Sequence, residues 1–185
     1  MTPRPSRLWS PLSGLIVSKP HWNNASGGSR STPLPLADET GSKTSATIVW
    51  SASGVWATPI TDAAGNRRMM KGYLDTSSTS STSVTVAGLA SGTYDVYVYA
   101  DGDNRSYSRT AAYRISGTGI TTTTAYLTDA AGANFSGTFT RASNSSGNYV
   151  RFTFTGNGFT LRATPLSGGN ETLRAPVNGI QIVPR

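Results

Sequence analysis

The sequence predicts an all-β fold, and more narrowly an antiparallel two-sheet β-sandwich of the jelly-roll type. Short segments with a two-residue hydrophobic period recur along the chain, and turn residues separate them at intervals of roughly 8 to 12 residues. The composition is rich in Ser, Thr and Gly, whereas charged residues make up only 14%. No window shows the sustained apolar stripe of an amphipathic helix.

The predicted strands alternate between apolar and polar residues along most of the chain. This alternation places the two kinds of side chain on opposite faces of a sheet. In chain order, the predicted strands are 46–50, 83–89, 94–100, 110–116, 121–128, 136–142, 148–155, 159–165 and 178–183.

Individual strands show which face is buried. In the segment NYVRFTFT, Val150, Phe152 and Phe154 share one face, and polar side chains share the other. Trp50 continues the inward register of Ile48 and is expected in the core. Two stacked sheets with apolar inner faces fit this pattern. In strand 94–100, the face predicted to point outward comprises Asp95, Tyr97 and Tyr99.

The chain is expected to form one domain with a tail. Residues 1–14 are rich in proline and lack periodicity, which is typical of a disordered tail or linker. Residues 15–185 are long enough to enclose a single core, and we expect one β-sandwich domain there. The first residues do not resemble a signal peptide, so we expect either that the chain is a piece of a larger multidomain protein or that its true start lies elsewhere. No stretch approaches the roughly 20 apolar residues of a membrane span.

The net charge of +7 raises the question of an acidic partner. The basic residues are mostly arginines scattered along the chain, and they form no run of the kind that binds nucleic acid. We therefore expect no nucleic-acid partner. The charge either keeps the protein soluble or attracts an anionic ligand.

Common catalytic arrangements find little support. His21 is the only histidine and the chain has no cysteine, which argues against a zinc site and leaves no disulfide. No serine lies in a Gly-x-Ser-x-Gly elbow that would favour a hydrolase triad. A pair of aspartates that meet in space would still allow glycoside hydrolysis.

An acidic turn follows the strand 94–100. Asp101 and Asp103 offer carboxylate oxygens, and Asn104 adds an amide oxygen, which are ligand types that Ca²⁺ prefers. We predict Asp101 and Asp103 as metal ligands of a structural calcium site. An EF-hand loop is excluded, because Arg105 and Ala112 occupy two of its ligand positions. The alternative is a simple strand-ending turn, since Asp, Gly and Asn serve that purpose equally well.

Aromatic residues near polar ones indicate a glycan site. Sugars stack their C–H faces on Trp or Tyr rings, and Asn, Asp or Arg side chains bind the hydroxyl groups. Each aromatic residue could instead pack in the core or on the surface. The predicted carbohydrate-binding residues are Trp22, Trp56, Tyr73, Asn104, Arg105 and Tyr107. In the basic segment 66–76, Met69 and Met70 either fill a gap beneath a charged loop or form the floor of a cleft.

Several phrases resemble a known group of modules. GLASGTYDVYVYADGDN (88–104) resembles the turn and central strand of galactose-binding-like β-sandwiches. RAPVNGIQIVP (174–184) is similar to the last strand of malectin-like carbohydrate-binding modules of secreted bacterial proteins, and HWNNASG (21–27) and RMMKGYLDT (68–76) are similar to parts of such modules. The resemblance implies an extracellular or cell-surface location, and it transfers no specific binding residue.

The sequence thus favours a non-catalytic carbohydrate-binding module that recognises a polysaccharide and requires no cofactor, with calcium as the metal its acidic turn would suit. A structural or adhesive interaction domain is the alternative. A glycan-active hydrolase with an aspartate pair is a third, less favoured hypothesis. Fold alone does not separate these functions.

Overall fold

A computed structural model describes residues 16–17, 19–167 and 173–185. The chain is 52% strand and 4% helix, which confirms the all-β prediction. The predicted tail, residues 1–14, lies outside the described residues. No helix of the described part is long and apolar enough to cross a membrane.

The described residues form twelve strands and one short helix. In chain order, these elements are β1 (Ser29–Ala37), β2 (Lys43–Ser51), β3 (Gly54–Ala57), α1 (Asn66–Lys71), β4 (Gly72–Asp75), β5 (Thr82–Ala87), β6 (Gly92–Tyr99), β7 (Arg109–Gly117), β8 (Ile120–Asp129), β9 (Ser145–Ser146), β10 (Tyr149–Gly156), β11 (Phe159–Ser167) and β12 (Gly179–Pro184).

The strands form three sheets, where the sequence had predicted two. The largest sheet has seven strands in the order β1-β2-β5-β11-β7-β8-β9, and the second has the order β10-β6-β12. The third is the isolated hairpin β3-β4. All pairings are antiparallel except that of β8 with β9, which is parallel. The sheet count therefore differs from that of the predicted two-sheet jelly roll.

One predicted strand is absent and the observed strand β1 was not predicted, and both differences have local causes. The segment 136–142 is not a strand, and only Arg141 makes an isolated bridge. The side chain of Asn148 instead binds this segment, donating to the carbonyl of Thr138 and accepting the N–H of Thr140 at 2.9 and 2.8 Å. Strand β1 was missed because its prolines weaken a strand signal, although prolines are tolerated on a sheet edge, where β1 lies.

The main core lies between the seven-stranded and the three-stranded sheets. Strands β10 and β11, one from each sheet, contribute buried apolar residues with the alternation that the sequence predicts. Trp50 is buried there, as expected, and its Nε1–H donates to the carbonyl of Gly27 at 3.0 Å. Buried residues of this core include Val96, Val98, Phe152 and Phe154 of the three-stranded sheet and Val84, Tyr113, Ile115, Phe159 and Leu161 of the seven-stranded sheet.

Strand β6 is buried on both faces, which the alternation did not indicate. Tyr97 and Tyr99, predicted to point outward, lie in a second apolar cluster with Met69 and Met70 of α1 and with Phe135. The rings of Tyr99 and neighbouring aromatic residues meet at tilted angles. The two methionines thus fill a core, as expected of flexible apolar side chains beneath a charged segment. Helix α1 and the loop after β8 cover the outer face of the central strand.

Candidate binding cleft

A cleft of about 260 Å³ opens beside the hairpin β3-β4. Trp56 and Tyr73 are cross-strand partners in this hairpin, but their environments differ. Trp56 is 60% exposed, whereas Tyr73 lines the cleft but is buried. The side chains that line the cleft are Trp56, Tyr73, Asp103, Arg105, Arg109 and Arg174.

The Tyr73 hydroxyl joins the hairpin to the loop after β6. Its oxygen accepts the N–H of Asp103 at 3.2 Å. Burial raises the pKa of Tyr73 to about 12, so the phenol is neutral at physiological pH. The hydroxyl can therefore still donate a hydrogen bond to a group in the cleft.

Two of the three cleft arginines are held by protein groups. The guanidinium of Arg174 donates to a carboxylate oxygen of Asp75 at 2.7 Å and to the carbonyl of Thr76 at 2.6 Å. Burial raises the pKa of Asp75, and Arg174 opposes this shift. The buried Arg109 donates to the carbonyl of Asp103. Both arginines are therefore preorganised positive charges at the cleft.

Arg105 is the solvent-facing cation of the cleft. Its side chain is 81% exposed, and its Nε lies 3.4 Å from Oδ1 of Asp103. A contact of this length at the surface contributes little to stability. Arg105 is therefore available to a ligand at low cost, and an anionic ligand would suit the surplus of arginines over carboxylates here.

A buried junction of two turns lies next to the cleft. Asp101, 1% exposed, follows β6, and its Oδ2 accepts the N–H of Phe135 at 2.9 Å. Asp129 ends β8, and its Oδ2 accepts the N–H of Gly102 at 3.0 Å. The loop after β6 and the loop after β8 thus each bind the aspartate of the other. Asn104 completes the junction by donating to the carbonyl of Ala130 at 2.5 Å.

The two junction aspartates share an environment that is unfavourable for charge. Burial raises the pKa of Asp101 to about 7, although its hydrogen bond from Phe135 works in the opposite direction. Burial and the nearby charge of Asp101 raise the pKa of Asp129 to about 8. Hydrogen bonding from Gly102 and the charge of Arg109 only partly offset these effects on Asp129. Two carboxylates therefore lie close together in a medium that disfavours both charges.

The structure separates the residues that the sequence grouped into one site. It brings Trp56, Tyr73, Arg105 and the predicted metal ligand Asp103 together in the cleft. It places Asp101 and Asn104 in the buried junction instead.

The two remaining predicted residues lie elsewhere. Trp22 packs on the second cluster, with its ring 6.4 Å from that of Tyr99 at an angle of 59°. Tyr107 is half-buried, and it does not line the cleft in the described part of the chain.

Sequence reasoning missed three residues at these sites. Arg109 and Arg174 carry no local signal, because only the fold brings them to the cleft. Asp129 does carry a local sequence signal, because the segments TDAAGN (61–66) and TDAAGAN (128–134) are similar turns and the second contains Asp129. The acidic turn and this second turn meet in space.

No family model matches the chain, and neither do any curated protein or solved structure. The resemblance to galactose-binding-like and malectin-like modules therefore stays a prediction.

Proposed function

We propose that this chain is a non-catalytic module that binds an acidic polysaccharide in the cleft beside the hairpin β3-β4. The observation that carries the proposal is the exposed indole of Trp56 in a cleft with three arginines. A large exposed aromatic ring next to preorganised hydrogen-bond donors suits a sugar ring that carries carboxylate or sulfate groups. Such polymers occur outside cells, so we propose an extracellular or cell-surface location.

Each wall of the cleft has a role in this proposal. Trp56 stacks on the C–H face of a sugar residue. Arg105 reaches the carboxylate or sulfate group, while Arg109 and Arg174 supply fixed positive charge behind it. The Tyr73 hydroxyl and the Asp103 carboxylate bind sugar hydroxyl groups.

The test is affinity electrophoresis and titration with acidic glycans such as polygalacturonate, alginate and heparin, alongside neutral cellulose and xylan. We expect retention by at least one acidic glycan and weaker retention at high salt, because exposed charge pairs are screened. Trp56→Ala should abolish retention, and Arg105→Ala should weaken it and reduce its salt dependence. No retention on the whole panel, or release of reducing ends from a retained glycan, would contradict the proposal.

Tyr126→Ala is the matched control, because Tyr126 is also an exposed aromatic residue, 44% accessible on β8, and does not line the cleft. It should retain glycans like the wild type. Equal losses in Trp56→Ala and Tyr126→Ala would indicate non-specific adsorption through aromatic side chains.

The second candidate is a structural or adhesive domain, and one observation favours it. Arg114 of β7 and Arg162 of β11 are cross-strand partners, and both are exposed on the outer face of the large sheet. Like charges directly opposite each other destabilise a sheet, so an anionic polymer lying across this face would relieve them. Capture of an anionic polymer that survives Trp56→Ala but is lost in an Arg114→Ser/Arg162→Ser variant would favour this candidate.

A further inference from the structure

The buried junction contains side-chain oxygens without partners. In the part of the chain that the structure describes, Oδ1 of Asp101, Oδ1 of Asn104 and Oδ1 of Asn134 are buried and accept no hydrogen bond. A buried polar atom without a partner costs about 1–3 kcal/mol, so native proteins rarely leave several together. Unsatisfied oxygens on the two loops of one junction could accept from a hydrogen-bond donor or bind a cation.

The geometry of the junction holds the polar groups in place. Main-chain N–H groups fix one oxygen of each aspartate, from Phe135 to Asp101 and from Gly102 to Asp129. The second oxygen of Asp101 is left over. Asn104 is 1% exposed, and its side chain forms a hydrogen bond with the carboxylate of Asp129. Its unpartnered amide oxygen is therefore in the same junction as the two carboxylates.

We propose that this junction binds a divalent cation that prefers oxygen ligands, Ca²⁺ foremost, with Asp101, Asp129 and Asn104 as ligands. Carboxylate and amide oxygens are the usual ligands of Ca²⁺, and main-chain carbonyls and water complete its six to eight bonds. The described residues contain no group of three or more His, Cys, Asp or Glu side chains that could hold a metal. The amide of Asn104 is therefore an essential part of the site.

The charge of the junction fits a cation better than a proton. Arg109, the cross-strand partner of Asp129, offsets only part of the charge of the two carboxylates. A shared proton bridges two oxygens, whereas a calcium ion satisfies the carboxylates and the amide oxygen together. This site is next to the glycan cleft and not in it, so it stands whether or not the glycan proposal holds.

The test uses the full chain after removal of metal by a chelator. Titration calorimetry with CaCl₂ should show one ion per chain, and the melting temperature should rise with added Ca²⁺. Tb³⁺ provides a second probe, because Tyr113 is buried beside the junction: burial raises its pKa, and the nearby charges of Asp129 and Asp101 raise it further. Excitation of tyrosine should therefore produce Tb³⁺ emission that Ca²⁺ competes away.

Variants assign the ligands. Asp101→Asn and Asp129→Asn should each weaken Ca²⁺ binding by about 10-fold or more. Asn104→Ala should weaken it too, whereas Asn104→Asp keeps a ligand oxygen and should retain binding. Asp95→Asn is the matched control, because Asp95 is a buried aspartate whose two oxygens already accept from Arg151 and Thr153 at 2.7 and 2.6 Å. It should bind Ca²⁺ like the wild type.

The proposal is overturned if the stripped wild-type chain binds neither Ca²⁺ nor Tb³⁺ at millimolar concentrations, or if Asp95→Asn loses as much affinity as Asp101→Asn. If the aspartate variants fail to fold, the wild-type titration and the contrast between Asn104→Ala and Asn104→Asp still decide. A wild-type chain that binds Ca²⁺ but is retained by no glycan would reject the cleft proposal and leave the calcium proposal standing.

Discussion

At the scale of single residues, two aspartates on one stretch of chain show how surroundings decide ionisation. Asp95 lies on β6 and Asp101 follows the same strand, and both are buried. Burial acts to raise the pKa of Asp95, but hydrogen bonds from Thr153 and Arg151 outweigh it and lower that pKa. Asp101 receives only the N–H of Phe135, and its pKa rises. Asp95 therefore stabilises the fold as an anion, whereas one carboxylate oxygen of Asp101 accepts no hydrogen bond.

The lowered pKa of Asp95 makes it a pH-dependent contributor to stability. Because its folded pKa lies below the unfolded value of about 3.9, its contribution is fully present above that value and is lost as the pH falls through the folded pKa. Asp95→Asn should lower the free energy of unfolding at pH 7 by about 1 kcal/mol, a modest value because Arg151 is partly exposed. Urea unfolding between pH 2 and 7 measures this difference.

The difference between wild type and Asp95→Asn should shrink as the pH falls below about 4. Asp62→Asn is a suitable control, because Asp62 forms an exposed pair with Arg68 at 3.0 Å. Its removal should change the free energy of unfolding by less than about 0.5 kcal/mol. A constant difference across the whole pH range would show that Asp95 contributes through packing and not through its charge.

At the scale of elements, the link between β2 and the end of β5 depends on a glycine. Gly88 has a φ of +75°, and a Cβ there would lie 2.4 Å from the main-chain oxygen of Ser45. This oxygen belongs to β2, which is held between two other strands and cannot easily move away. The chain therefore needs glycine at this position for both its conformation and its space.

Gly88→Ala should therefore lower the free energy of unfolding by about 3 kcal/mol or more, because backbone strain and a steric clash add together. Gly119→Ala separates the two effects. Gly119, in the β7–β8 turn, has a similar φ of +72° but nothing within 4 Å of an added Cβ. Gly119→Ala should therefore lower the free energy of unfolding by only about 1 kcal/mol. Chemical denaturation of both variants measures the contrast, and equal losses would show that the Ser45 contact is relieved without cost.

The sequence predicts elements where the pattern is local and fails where distant segments decide. The alternation in β6 and β10 correctly indicates their inner faces, because a two-residue period needs no knowledge of the rest of the fold. The cover over the outer face of β6 could not be predicted, since it comes from α1 and from the loop around Phe135. The hairpin β3-β4 was missed because four-residue strands that begin with glycine show hardly any period.

The candidate sites follow the same rule. The acidic turn predicted Asp101 and Asp103 as metal ligands together, but in the fold Asp101 lies in the junction and Asp103 lines the cleft. The partner of Asp101 is Asp129, which a different hairpin supplies. Residue type could indicate only which chemistry to look for, and the topology decides which groups meet.

At the scale of the whole molecule, the apolar cores and the proposed binding cleft lie in different regions. The main core lies between the two larger sheets, and a second cluster covers the other face of β6. The cleft lies outside both cores, on the hairpin β3-β4 and the loop after β6. Changes in the clusters should therefore alter stability, whereas changes in the cleft should alter binding.

The tryptophans test this separation most directly, because the sequence predicted Trp22 and Trp56 as binding residues alike. Trp22 is half-buried against Tyr99, so Trp22→Ala should lower the free energy of unfolding by about 2 kcal/mol, less than a fully buried aromatic residue would cost. Trp56 is 60% exposed, so Trp56→Ala should change it by no more than about 0.5 kcal/mol. Urea unfolding and acidic-glycan retention, measured on both variants, should show opposite losses. A Trp22→Ala variant with wild-type stability and no glycan retention would instead place the binding surface on the second cluster.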